Sequence, residues 1–145
     1  MTRRGPVDPA LVVVLAGVSA ALHIGKLPPA LPVLRDALGV SLLQAGFLLS
    51  MVQLAGMTLG LLIGLAADLV GLRRSMLFGS WLLVVSSLVG GWARSGTDLL
   101  VLRAVEGFGV LFVSLPAPSL IRHLVEPHRL SRSLGLWGAY MPFGT

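Results

Sequence analysis

An all-α integral membrane fold is the expectation from three features of this chain. Charged residues make up 12% of its 145 positions and hydrophobic ones 55%, where soluble domains average about 25% charged. Apolar runs recur along it, each long enough to supply the ~20 residues a helix needs to cross the hydrocarbon layer. The basic residues stand in small groups between those runs rather than along one polar face. A mean hydropathy of +0.90 agrees.

The elements follow in order. Residues 1–9 form a polar tail holding Arg3 and Arg4, and residues 10–145 a partial transmembrane domain. The first span covers 10–34. Pro28, Pro29 and Pro32 lie near its outer end, where a residue without an N–H frees carbonyls and permits a kink. A signal peptide is the alternative for this span, with Leu11 to Leu22 as its core and Val18-Ser19-Ala20 as its cleavage site. The apolar character that resumes beyond Lys26, and the further spans, weigh against it. The second span covers 41–67 and carries a ladder of Gly56, Gly60 and Gly64, with Gln53 on the same stripe. Small residues four apart let another backbone approach, so the stripe reads as a packing face or as a sliding face between two halves of a longer protein. The third span covers 75–93. The fourth covers 98–121, with Pro116 and Pro118 near its inner end. A fifth begins at 131 and stops at 145, ~22 Å of helix against a ~30 Å layer. The chain therefore reads as the amino-terminal piece of a longer protein.

Orientation follows from the arginines. With the amino terminus in the cytoplasm, inside segments hold Arg3, Arg4, Arg73, Arg74, Arg122, Arg129 and Arg132, and outside loops hold Arg35 and Arg94. This imbalance favours that topology over its inverse and places the chain in an inner (plasma) membrane. The net charge of +5 is then explained by anionic headgroups rather than by nucleic acid. There is no cysteine, hence no disulfide framework and no thiolate chemistry. His23, His123 and His128 have no metal spacing, and neither a phosphate-cradling loop nor a nucleophile elbow is present. No enzyme, cofactor or metal site is expected.

Ionisable side chains at membrane depth cost ~2.5 to 3.5 kcal/mol each on insertion scales, so they are the first functional candidates. Here they are Lys26, Arg103 and Glu106, with His23 beside Lys26. Arg103 and Glu106 stand three residues apart, about 60° round one helix, and can pair. Glu106 is either the neutralising partner of Arg103 or a proton site. Lys26 either snorkels to the outer surface or faces a water-filled cavity and, with Arg103, attracts an anionic substrate. His23 is expected to bond a neighbour rather than titrate, although an imidazole can relay protons.

The turn between the second and third spans reads Gly64-Leu65-Ala66-Ala67-Asp68-Leu69-Val70-Gly71-Leu72-Arg73-Arg74. Its spacing, Gly-x-x-x-Asp-x-x-Gly-x-Arg-Arg, resembles the cytoplasmic signature of the major facilitator superfamily of secondary transporters. Basic residues common in that signature are replaced by Leu69 and Leu72. The run Arg103-Ala104-Val105-Glu106-Gly107-Phe108-Gly109 resembles the family's fourth-helix signature, Arg-x-x-Gln-Gly-x-Gly, with Glu in place of Gln. The resemblance covers nearly the whole chain, and the stretch Gly135 to Gly144 is similar to the cyanate-permease-like branch.

Membership would imply alternating access across two six-helix halves, with Arg103 and Glu106 in proton coupling. Gly64, Asp68, Gly71, Arg73 and Arg74 would then form a conformational latch, and Gly56, Gly60, Gly107 and Gly109 would serve helix packing. The partners implied are the lipid bilayer, a small solute that is an anion, a proton, and transporter helices beyond this chain. The competing class is a truncated or non-transporting membrane module that only inserts and packs.

Overall fold

The computed structural model describes residues 8–144; Arg3, Arg4 and Thr145 lie outside the described residues. All regular structure among the described residues is helical: α1 (Pro9–Gly25), α2 (Leu27–Leu38), α3 (Leu42–Val70), α4 (Leu72–Gly90), α5 (Gly96–Ser114), α6 (Ala117–Leu124), α7 (Pro127–Gly138) and α8 (Tyr140–Gly144). Four stretches are long and apolar enough to cross a membrane, namely Pro9–Leu38, Leu42–Val70, Leu72–Gly90 and Gly96–Leu124.

Local chemistry sets the ends. Asp8 caps α1 by accepting from the Ala10 N–H at 3.0 Å. Ser41 with Gln44, and Ser95 with Asp98, form reciprocal capping boxes at the starts of α3 and α5, each satisfying donors a helix end would otherwise leave bare. Gly71 joins α3 to α4 at φ 104°, a region where a side chain is strained. This one residue makes the turn between two spans.

Two spans read as continuous in the sequence are broken. The first divides at Lys26 into α1 and α2, and the fourth at Leu115 and Pro116 into α5 and α6. Both breaks fall beside prolines, as the loss of an N–H requires. The last helical segment opens at Pro127 rather than 131, because proline suits the first turn of a helix.

The core lies among α1, α4, α5, α6 and α7, where Val13, Ala20, Leu83, Val113, Ile121 and Trp137 bury one another. Trp137 stacks on Tyr140 with centroids 4.2 Å apart and lies over Gly17, where a Cβ would come within 2.4 Å of the indole. Helices α4 and α5 approach through two glycines. A Cβ on Gly79 would sit 2.7 Å from the Gly109 carbonyl oxygen, and one on Gly109 2.9 Å from Leu83 Cγ. A smaller cluster of Leu27, Val40, Ala45 and Leu48 closes the outer ends of α2 and α3. Met57, Leu61, Leu62, Leu65 and Leu69 are exposed along α3, an apolar outer surface fitting lipid or further helices.

Candidate functional site

The break at Lys26 builds the site. A helix leaves its last carbonyls without intrahelical donors, and α1 ends at Gly25. Pro28, four residues beyond Ile24, has no N–H to offer. The carbonyls of His23 and Ile24 are met instead by Arg103 of α5, whose Nη1 donates to His23 O at 2.6 Å and Nη2 to Ile24 O at 3.3 Å. Arg103 Nε donates to Leu48 O of α3 at 3.1 Å. One guanidinium thereby ties three spans together through main-chain oxygens.

Glu106 completes the arrangement. Its Oε2 accepts from Arg103 Nη1 at 2.8 Å, and its Oε1 from Lys26 Nζ at 2.5 Å. Lys26 Nζ also donates to Ser87 Oγ of α4 at 3.1 Å. The side chains of Arg103 and Glu106 are 3% and 8% exposed, whereas that of Lys26 is 44% exposed. Both ends of the Glu106 carboxylate are occupied by cations, and the cluster keeps one formal positive charge in excess.

A cavity of about 270 Å³ opens beside this cluster. Lys26, Arg103, Glu106, Ser86 and Ser87 supply its polar atoms, and Leu27, Ala30, Leu34, Leu48, Leu99 and Leu102 much of its apolar wall. It is a small, mostly apolar chamber with a charged floor, the form in which ligand sites usually occur.

The sequence-derived candidates divide accordingly. Arg103, Glu106 and Lys26 come together. Lys26 turns its ammonium toward Glu106 and Ser87 and lines the cavity, the second of the two placements that its position in the sequence left open. His23 Nδ1 bonds Ser19 O at 2.8 Å, so the imidazole engages its own helix while its carbonyl serves Arg103. Gln53 is exposed on α3 and does not line the cavity. Gly107 and Gly109 are buried on α5. A Cβ on Gly56 would lie 3.6 Å from Leu111, but Gly60 and Gly64 have nothing within 4 Å. At the turn between α3 and α4, Asp68, Arg73 and Arg74 are exposed, and among the described residues no ion pair joins them. Sequence reasoning missed Ser87 and Gly79. The adjacent hydroxyls of Ser86 and Ser87 inside an apolar span were the available signal for the first.

The profile of the Major Facilitator Superfamily matches residues 10–145. This chain belongs to that superfamily. A lincomycin resistance protein of Streptomyces lincolnensis is 38% identical over 88 residues, 61% of this chain and 18% of the relative. Facilitated glucose transporter member 10 of solute carrier family 2, from Homo sapiens, is 28% identical over 135 residues, 93% of this chain and 25% of the relative. A drug efflux pump of Mycobacterium tuberculosis is 36% identical over 76 residues, 52% of this chain and 15% of the pump. The matches thus span a quarter or less of these relatives. No solved structure matches. Membership and the four apolar helices make the chain a multi-pass membrane protein.

Proposed function

We propose that this major facilitator chain forms part of a secondary transporter that moves a small anionic solute together with a proton by alternating access. The carrying observation is the Lys26–Glu106–Arg103 cluster beside a cavity at membrane depth. An uncompensated cation is costly in a bilayer, so the excess positive charge favours an incoming anion. Protonation of Glu106 would remove the negative charge shared by the two cations and release Lys26 toward the solute. Anion and proton would then load together, and loss of the proton would let Glu106 reclaim Lys26 and expel the anion.

The relatives described as a glucose transporter and a drug efflux pump support transport as the general activity, and by the same token a non-enzymatic role. The arginines support a cytoplasmic amino terminus in a plasma membrane. Asp68 with Arg73 and Arg74 at the Gly71 turn remains the proposed latch, closing against the other half of the transporter. The cyanate-permease-like branch rests on the stretch from Gly135 alone.

Reconstitution into proteoliposomes with an imposed pH gradient tests the reading. Uptake of a labelled monoanion should follow the gradient in the wild type, and Glu106→Gln should equilibrate the anion without accumulating it. Uptake indifferent to the gradient and unchanged by Glu106→Gln removes the coupling. Insertion without any flux returns the chain to the non-transporting module.

A further inference from the structure

The two cations at the site are not equivalent, and the difference specifies the ligand. Arg103 is buried, and its Nε, Nη1 and Nη2 are all engaged by oxygens of α1, α3 and Glu106. Reaching a solute would require it to abandon the His23 and Ile24 carbonyls at the end of α1 together with Leu48 O and Glu106. Lys26 is on a helix break, is 44% exposed, and holds its partners through a single flexible ammonium. An ammonium can pivot between oxygens at little cost, whereas a guanidinium fixed by several bonds cannot.

We infer that Lys26 is the ligand-binding cation, Arg103 the anchor and Ser87 the positioning residue for Lys26, and that the ligand is a monocarboxylate with a compact apolar body. This rests on the anion reading above and narrows it. The single mobile cation sets the valence. Lys26 can meet one carboxylate, while Arg103, held by the main-chain oxygens of His23, Ile24 and Leu48, offers no second free cation to a dianion. The wall sets the rest of the molecule: Leu27, Leu34, Leu99 and Leu102 offer no hydrogen bonds from their side chains, so a poly-hydroxylated body would lose its water without replacement. A cavity of about 270 Å³ accepts a ring or short chain of benzoate size. The carboxylate takes the place of Glu106 Oε1 on Lys26 Nζ while Ser87 Oγ keeps the ammonium in the chamber.

Equilibrium dialysis of radiolabelled benzoate against the chain in zwitterionic lipid nanodiscs, with empty discs subtracted, tests this. Benzoate should bind and be displaced by excess unlabelled benzoate, but not by equal chloride, succinate or glucose. Lys26→Met should weaken binding by about tenfold or more, the effect of one hydrogen bond to a charged group, and Lys26→Arg should restore part of it. Ala30→Trp, which fills the chamber and leaves every charge in place, should also abolish binding, so a misfolded Lys26→Met does not decide the matter. Ser87→Ala should weaken benzoate while leaving thermal stability unchanged. If chloride or succinate competes as well as benzoate, the ligand class is wrong although the anion reading stands. If benzoate binds equally to Lys26→Met, the assignment of Lys26 is wrong. If none of these anions binds, the inference falls and the anion reading with it, while solute transport by the family fold stays open to the flux assay.

Discussion

Arg103 touches α1, α3 and its own helix, and what it touches is mostly main chain. A side chain can be replaced by another side chain, but no rotamer change frees a carbonyl at a helix break from needing a donor. Arg103→Ala would remove the guanidinium donor from the His23 and Ile24 carbonyls at the break and leave Glu106 with Lys26 alone. The expected loss is about 3 to 5 kcal/mol, the range for breaking a buried pair, read as unfolding in a detergent–denaturant titration. Lys26→Met should cost less than half as much, because its side chain is 44% exposed and Glu106 keeps Arg103. Equal losses would contradict the division between anchor and ligand cation. The spacing of Arg103 and Glu106 made their pairing legible in the sequence, since three residues on a helix always meet. The direction of Lys26 was not legible, because its partners Ser87 and Glu106 lie 61 and 80 residues away and only packing brings them close.

At the scale of elements, prolines were informative and glycines less so. Pro28 and Pro116 announced breaks that the helices adopt, because a missing N–H acts locally whatever the tertiary context. The glycine ladder on α3 announced a packing face, yet a close approach of one helix backbone to another lies between Gly79 and Gly109. Gly79 follows Ser75 by four residues, a small-xxx-small pair shorter than the ladder on α3, and its role depends on which helix arrives opposite it. Gly79→Ala would push a methyl against the Gly109 carbonyl oxygen at 2.7 Å, and backbone cannot yield as a side chain would. We expect a loss of about 1 to 3 kcal/mol from overpacking. Gly60→Ala, with nothing within 4 Å, should be neutral or up to about 1 kcal/mol stabilising through helix propensity. Comparing the two melting curves checks both. Pro28→Ala offers Ile24 O a helical donor and so competes with Arg103. The break should straighten, seen as a longer distance between spin labels at Leu15 and Val33, and ligand affinity should fall with it.

For the whole molecule, the described residues include a long-range tie that the turn signature does not imply. Arg129 Nη2 bonds Asp8 Oδ2 at 3.0 Å, joining the start of α7 to the cap of α1 across 121 residues. Both side chains are nearly half exposed, so salt should screen the pair and Arg129→Ala should cost less than about 1 kcal/mol. The turn residues Asp68, Arg73 and Arg74 stay unpaired among the described residues while Gly71 supplies the conformation that brings them to the surface. A charged group without an ion-pair partner among the described residues is free to meet one elsewhere. A latch of this kind is useful only if the turn faces the cytoplasm, where the remaining half of a transporter of this family would close against it. The absence of cysteine makes that orientation directly measurable, since any introduced thiol is unique. In intact cells, a membrane-impermeant maleimide should label Asp36→Cys, in the outer connection, and spare Leu69→Cys, at the inner end of α3, until the membrane is opened. The reverse pattern would put the unpaired arginines outside, against the charge bias of short loops, and the latch would lose its setting.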